Sequence, residues 1–214
     1  EERVARRVLL QERPCAVIHV IEARNLERHL PLAFQLIEAG LPLIVVLNIM
    51  DEVEASGLEI DAQGLEKELA VPVVAAVSTT GRGMDILRAR LADHGPSPQA
   101  QRSATLCPKP RAAGTARSKQ SQRMLAIHMQ YAPRHEEAIQ QIASLLTADY
   151  TLSRRAVALL LLQGDDEIRS LVAEAEGEDT ARRIDNIVRE VAGLTRQRVS
   201  YLLAAARQQI ARSI

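Results

Sequence analysis

The sequence predicts a parallel α/β unit, with strands and helices alternating as βαβαβα, followed by an all-α helical bundle. Three apolar runs lack the alternation of half-exposed strands, as is typical of strands buried on both faces, and helical segments separate them. The last part of the chain instead shows successive amphipathic helical segments. With 214 residues, the chain is long enough for one large domain or two small ones.

The predicted sheet has three parallel strands, joined by right-handed helical connections. The strand residues are mostly aliphatic, and polar segments follow them, as in strand-to-helix loops. The strands are expected over residues 16–21, 43–47 and 72–77.

The connections between these strands carry clear helix signals. Leu30, Phe34 and Ile37 share one face of the first helix. Pro31 is expected in its first turn, where a missing N–H costs nothing, and Gly40 is expected to end it. Further helices are expected from the N-cap Asp61 to Ala70 and over residues 83–93.

The last region is predicted to be helical throughout, because capping residues recur between segments with one apolar face. Ser153 is expected to cap a helix that ends at Gly164. The other helices are expected over residues 133–148, from Asp165 to about Gly177, from Asp179 or Thr180 onward, and from the cap Thr195 onward.

The overall charge is balanced, with 27 basic and 27 acidic residues, which argues against a protein that coats nucleic acid. Aromatic residues make up 2% of the chain, too few for a platform that stacks single-stranded bases. The charge is uneven along the chain, with net values of −5, +7 and −2 over residues 1–95, 96–135 and 136–214. The expected units are an α/β domain over 1–95, a basic Pro- and Ser-rich linker over 96–126, and a helical domain over 127–214.

Two polar segments follow neighbouring predicted strands, at the edge where parallel sheets bind ligands. The second strand runs into Asn48-Ile49-Met50-Asp51, and the third runs into Ser78-Thr79-Thr80-Gly81-Arg82-Gly83. The first segment has the form N-x-x-D. An ordinary strand-to-helix turn, with Asn and Asp as turn residues, is one interpretation of it.

Guanine recognition is the other interpretation. A carboxylate at Asp51 can accept hydrogen bonds from the guanine N1–H and exocyclic amine, a donor pair that adenine lacks. Asn48 can tie adjacent loops together. Backbone N–H groups of residues 78–80 can face the guanine O6, with the Ser78 hydroxyl bracing that loop.

Further segments add a closer resemblance, and in the first region these are Glu1–Arg6, Asn25–Leu30, Leu47–Asp51 and Val77–Gly83. Together they resemble the G domain of FeoB, the family of bacterial ferrous iron transport proteins. Residues 155–165 resemble that family's R-W-x-A-x-K-L-L-E-G-D segment, which lies in a helical domain described as similar to a guanine-nucleotide-dissociation inhibitor.

The resemblance implies a partial P-loop-GTPase-like sheet and a helical domain, at the cytoplasmic face of the bacterial inner membrane. It implies GTP or GDP as ligand, Mg²⁺ in the complete protein, Fe²⁺ as the transported ion, and a membrane domain of the same polypeptide as partner. No nucleic-acid partner is implied, and the oligomeric state is left open. The base-recognition roles carry over to Asn48, Ile49, Met50, Asp51, Ser78, Thr79 and Thr80.

The sequence departs from the family in several respects. It contains no G-x-x-x-x-G-K-[S/T] phosphate loop, no D-x-x-G switch ahead of the first helix, and no apolar stretch of membrane-spanning length. The family's Trp and Lys positions hold Ala156 and Leu160. We therefore expect a piece of a larger membrane protein that does not hydrolyse GTP by itself, and we assign no catalytic residue.

Two other functions stay open on the residues alone. A GTPase of ribosome assembly or translation usually appends a basic RNA-binding domain, whereas residues 136–214 carry a net charge of −2. A non-catalytic interaction module would account for the missing phosphate loop. The histidines and acidic residues lack metal-ligand spacing, so we predict no metal ligand.

Overall fold

The computed structural model describes residues 8–10, 12, 14–94, 129–194 and 197–214. The predicted linker over residues 96–126 lies outside these ranges, and so do the first seven residues of the resemblance. Within the described ranges, no helix is both long and apolar enough to cross a membrane.

The described residues form a sheet of three parallel strands in the order β1-β2-β3, which confirms the predicted α/β layer. The strands are β1 (Val17–Glu22), β2 (Leu43–Asn48) and β3 (Val73–Ala75). The aliphatic strand β2 is buried from Leu43 to Leu47, because it lies in the middle of the sheet between two layers of helix. In the register, Glu22 is level with Asn48, so the polar ends of neighbouring strands meet at one edge.

Helices cover both faces of the sheet. Leu30, Phe34 and Ile37 are buried against one face, as their spacing predicts. On the other face, Ile44 and Val46 pack with residues of the helix that follows β3. After a 3₁₀ turn at Ala23–Asn25, the helices of this region are α1 (Leu26–Glu38), α2 (Met50–Ala55), α3 (Ala62–Leu69) and α4 (Met84–His94).

The last described region is helical, as predicted. The Ser153 hydroxyl accepts a hydrogen bond from the Ala156 N–H at 3.1 Å, and Asp165 Oδ1 accepts one from the Ile168 N–H at 3.1 Å, so both predicted caps are confirmed. The predicted cap Thr195 lies outside the described residues. The helices are α5 (Pro133–Leu145), α6 (Arg154–Leu162), α7 (Asp166–Glu176), α8 (Glu178–Gly193) and α9 (Val199–Ala211).

Pro31 lies in the interior of α1 rather than in its first turn, so that prediction was wrong. A proline has no N–H to donate to the carbonyl four residues earlier, which here belongs to Glu27. The Gln208 side chain of α9 partly replaces that donor, since its Nε2 lies 3.4 Å from the Glu27 carbonyl oxygen. A contact between the two regions therefore helps α1 to tolerate its proline.

The two regions meet at a buried carboxylate on α1. Glu38 is 8% exposed, and its Oε2 accepts hydrogen bonds from the Tyr131 hydroxyl at 2.8 Å and from Arg207 Nη2 at 3.1 Å. Arg155 Nε lies 3.5 Å from the other carboxylate oxygen. We call Glu38, Tyr131, Arg155 and Arg207 the junction cluster. It joins α1 of the α/β region to α6, α9 and the segment before α5.

Tyr131 lies between the two guanidinium groups of the junction cluster. The Cζ atoms of Arg155 and Arg207 are 5.7 and 5.5 Å from the centre of its ring. Burial and the Glu38 charge raise the pKa of Tyr131, so its hydroxyl stays protonated and donates to that carboxylate. The cluster therefore holds one carboxylate, one hydroxyl and two guanidinium groups together at the junction.

Candidate functional site

The polar segments after β2 and β3 lie side by side. Asn48 Oδ1 accepts a hydrogen bond from the backbone N–H of Ser78, 30 residues further along the chain, at 3.0 Å. A backbone bond from the Met50 N–H to the Ala76 carbonyl, at 3.3 Å, lies alongside it. We call residues 48–51 and 77–83 together the carboxyl edge. The parallel strands thus bring together the two segments that the sequence singled out.

Ile49 makes the sharp turn between β2 and α2. Its backbone is left-handed, with φ 63° and ψ 38°, which is a rare and strained conformation for a β-branched residue. Because the chain reverses within this one residue, Asp51 falls in the first turn of α2 with its side chain exposed. The sequence indicated only a turn here, so α2 itself was not foreseen.

Residues 77–83 form a loop after β3, which we call the Ser/Thr loop, and hydrogen bonds within the loop close it. The N–H groups of Thr80 and Gly81 donate to the Val77 carbonyl at 3.2 and 3.0 Å, and the Thr80 hydroxyl lies 3.3 Å from the same oxygen. Bracing therefore comes from the Thr80 hydroxyl and the Ser78 amide, whereas the sequence interpretation gave this role to the Ser78 hydroxyl. The N–H groups of Ser78 and Thr80 each have an acceptor, whereas the Thr79 N–H has no acceptor among the described residues.

The predicted third strand ends early for a related reason. β3 stops at Ala75 rather than at residue 77, because the Val77 N–H pairs back with the Arg82 carbonyl at 3.0 Å. This tight turn needs glycine at its end. Gly83 has φ +82°, and a Cβ there would lie 2.2 Å from the Ala75 carbonyl oxygen.

An ion pair crosses the carboxyl edge to α2. Arg82 Nη1 and Nη2 donate to Glu54 Oε2 and Oε1 at 3.0 and 2.5 Å, a two-pronged contact between half-exposed side chains. The hydrogen-bonded Glu54 carboxylate, and to a smaller extent the Asp51 charge, raise the pKa of Arg82. The sequence interpretation missed this pair, although the Asp51–Glu54 spacing on a helix would have indicated neighbouring carboxylates.

A second pair on α2 matches the first in exposure. Arg24 Nη1 donates to Glu52 Oε2 at 3.0 Å, with side chains 51% and 54% exposed. In the part of the chain that the structure describes, no group of three or more His, Cys, Asp or Glu side chains converges as a metal site. The carboxyl edge therefore presents hydrogen-bonding groups, and two ion pairs lie beside it on α2.

Solved structures with the same architecture come from NFeoB of S. thermophilus. A single-residue mutant of that protein bound to GDP aligns with a TM-score of 0.74 and 26% identity, over 100% of this chain and 72% of that chain. NFeoB bound to GDP, AlF4⁻ and K⁺ aligns with a TM-score of 0.73 and 25% identity, over 99% of this chain and 73% of that chain. The fold is therefore that of a G domain followed by a helical domain.

Family models cover both regions of the chain. The model described as ferrous iron transport protein B matches residues 1–91, and the model of the FeoB cytosolic helical domain matches residues 131–214. The chain belongs to the FeoB family.

Curated relatives agree with this assignment. The Fe(2+) transporter FeoB of Salmonella typhimurium is 40% identical over 94 residues, which is 44% of this chain. A fusion of Fe(2+) transport protein A with FeoB from Porphyromonas gingivalis is 32% identical over 179 residues, which is 81% of this chain. The matched parts make up 12% and 19% of the length of these two relatives.

Proposed function

We propose that this chain is the guanine-reading and helical part of the cytosolic region of a GTP-binding, GTP-hydrolysing Fe²⁺ transporter. Its relatives are named Fe(2+) transporters, and similar solved structures are bound to GDP. The observation that carries the proposal is the Asn48–Ser78 hydrogen bond. It holds the turn with the exposed Asp51 against the Ser/Thr loop, so that both flank one edge of the sheet.

Guanine offers two donors and one acceptor along one edge, and the carboxyl edge offers the complement. The Asp51 carboxylate accepts from the guanine N1–H and from its exocyclic amine, and the Thr79 N–H donates to the guanine O6. Adenine has an amine where guanine has O6 and no N1–H, so it leaves both protein groups unpaired. Asn48, Ile49, Met50, Ser78 and Thr80 act as positioning residues that set the distance between these two groups.

The other groups of a complete transporter are assigned no residue in this chain. The 214 residues contain no G-x-x-x-x-G-K-[S/T] segment, which is the segment that binds nucleotide phosphates and Mg²⁺ in such proteins. We therefore assign no side chain to these groups. Fe²⁺ is the cargo of the transporter rather than a resident cofactor. The partner is a membrane domain of the same polypeptide, which places this chain at the cytoplasmic face of the bacterial inner membrane.

The test exchanges the base for one that fits a changed side chain. Xanthine carries a carbonyl where guanine carries its exocyclic amine, and an asparagine can donate to that carbonyl while it accepts from N1–H. Asp51→Asn should therefore weaken GDP binding about tenfold to a hundredfold and favour xanthosine diphosphate. The measurement is an NMR titration of the Ser78 and Thr79 amides with GDP, ADP and xanthosine diphosphate.

Asp85→Asn serves as the matched control, because Asp85 is an exposed aspartate in the first turn of α4. It should leave the order GDP before ADP unchanged. An Asp51→Asn protein that still preferred GDP to xanthosine diphosphate would contradict the assignment of Asp51.

A further inference from the structure

We propose that Glu54 keeps the Asp51 carboxylate available to guanine, by holding the Arg82 guanidinium in a two-pronged ion pair. The inference rests on the proposed function, and it adds one positioning residue, Glu54 of α2, beside the carboxyl edge. Without Glu54, the Arg82 guanidinium would pair with Asp51 and compete with the base for the same carboxylate.

Two carboxylates of one helix act on the Arg82 guanidinium. Asp51 and Glu54 both lie on the six-residue helix α2, three positions apart, so their side chains are neighbours on one helix face. Arg82 faces that helix from the Ser/Thr loop and binds both oxygens of Glu54. The hydrogen-bonded Glu54 carboxylate is the main cause of the raised pKa of Arg82, and the Asp51 charge adds to it.

The chemistry makes this competition specific. A guanidinium presents parallel N–H donors that fit a carboxylate, and the N1–H and amine edge of guanine presents a donor pair of the same kind. Because both donor pairs fit the same two oxygens of Asp51, they compete for that carboxylate. The pair with Glu54 leaves Asp51 to the base.

The exposure of the pair supports a positioning role over a stabilising one. Both side chains are about half exposed, and ion pairs of that kind contribute little to stability. A two-pronged contact between side chains still fixes the direction of the guanidinium. What Glu54 decides is therefore the partner that Arg82 takes.

The rival explanation is a simple tether, in which the ion pair only ties the Ser/Thr loop to α2. The two explanations order the variants differently. A tether is lost equally in Glu54→Gln, in Arg82→Gln and in the double variant. Under the protection that we propose, only Glu54→Gln releases a competing guanidinium, and removing Arg82 as well restores binding.

The experiment measures GDP affinity of the four proteins by the same amide titration. Glu54→Gln should raise the Kd about three- to tenfold, while Arg82→Gln and the double variant stay within about twofold of the unchanged chain. Glu52→Gln is the matched control, because it frees Arg24 from an equally exposed pair on the same helix, and it should have no effect. Equal losses in both single variants, or no loss in Glu54→Gln, would overturn the proposal.

A second measurement needs no nucleotide, so the inference can fail separately from the proposed function. In the unchanged chain, nuclear Overhauser contacts of the Arg82 guanidinium protons should reach Glu54. In Glu54→Gln they should move to the Asp51 Hβ protons. Contacts that stay at position 54, or that reach neither side chain, would overturn the proposal whatever the chain binds.

Discussion

Two glutamate–arginine pairs in this protein differ in almost everything except their chemistry. The first pair joins Arg82 of the carboxyl edge to Glu54 of α2, and its side chains are 51% and 54% exposed. In the second pair, Arg207 and Glu38 of the junction cluster, the side chains are 4% and 5% exposed. Water and salt screen the first pair, and the role that we propose for it is to set which groups face the ligand. The side chains of the second pair are almost completely buried, so each charge is compensated by its partner instead of by water.

The polar atoms of the junction cluster are not all hydrogen-bonded. Glu38 Oε1 and Arg207 Nε have no hydrogen-bond partner in the described part of the chain, so pairing is incomplete even in the folded protein. Removing one partner of a buried ion pair lowers stability strongly, because the other charge stays buried without compensation. The intact pair, by contrast, adds little stability compared with an apolar core. The cluster therefore specifies how the helical region seats on α1, and the exposed pair specifies orientation at the surface.

The largest expected effect comes from removing the same side chain in the two places. Glu38→Ala leaves the buried Arg207 guanidinium without its carboxylate and takes one of two carboxylates from the partly exposed Arg155, and we expect it to lower the free energy of unfolding by about 3–5 kcal/mol. Glu54→Ala, the matched exposed change, should leave the free energy of unfolding nearly unchanged, because water and salt screen an exposed pair. Urea unfolding followed by circular dichroism measures both. Equal costs would break the comparison.

A smaller effect is expected inside the carboxyl edge, where two glycines with similar backbone angles differ in their surroundings. Gly83→Ala places a Cβ against the Ala75 carbonyl oxygen as well as in a left-handed backbone, and it should cost about 2–4 kcal/mol. Gly81→Ala, with φ +79° and nothing within 4 Å, should cost about 1–2 kcal/mol from backbone strain alone. Thermal unfolding of both variants measures the difference between their losses of stability. Equal losses would show that the close approach to the Ala75 carbonyl oxygen adds no cost.

Glu176 tests whether several hydrogen bonds make a carboxylate important for stability when it is only partly buried. Its carboxylate accepts from the N–H groups of Thr147 and Ala148 at 2.6 and 2.7 Å, and from the hydroxyls of Thr147 and Tyr150 at 2.7 and 2.9 Å. Partial burial opposes the effect, but these bonds lower the pKa of Glu176 from 4.5 to about 2. Glu176→Gln should cost about 1 kcal/mol at pH 7, because an amide N–H would then face donors.

The same carboxyl predicts a pH dependence with a definite sign. Since the pKa of Glu176 is lower in the folded chain than its ordinary 4.5, its contribution is fully present above that pH and is lost as the pH falls toward 2. Urea unfolding at pH 7, 4 and 2.5 should show the gap between the unchanged chain and Glu176→Gln closing in acid. Glu174→Gln, an exposed change on α7, is the control and should show no such gap. A gap that persisted at pH 2.5 would contradict the account of Glu176.

Much of the fold could be predicted because its signals are local. The aliphatic run over Leu43–Leu47 can be buried on both faces in only a few ways, and Ser153 and Asp165 cap helices through bonds to residues three positions away. The side-by-side placement of the N-x-x-D and Ser/Thr segments also followed, since neighbouring parallel strands end at one edge. The family resemblance rested on the same segments.

The errors involve partners distant in the chain. Pro31 was expected in a first turn, because nothing near it in sequence shows that Gln208 would approach the Glu27 carbonyl. Glu38 did leave a signal, since it follows Phe34 by four positions and so occupies the apolar face of α1 as a charged residue. Its partners lie more than 90 residues away and could not be named.

The sequence by itself determined the order of strands and helices, their caps and the residue types available at the carboxyl edge, because hydrophobic periodicity and capping act within a few residues. Only the tertiary structure decided which donors of the Ser/Thr loop are already used, that Arg82 pairs with Glu54, and that Glu38 lies between two arginines. These depend on distances between elements. Such distances are set by how whole faces pack, and no local pattern encodes them.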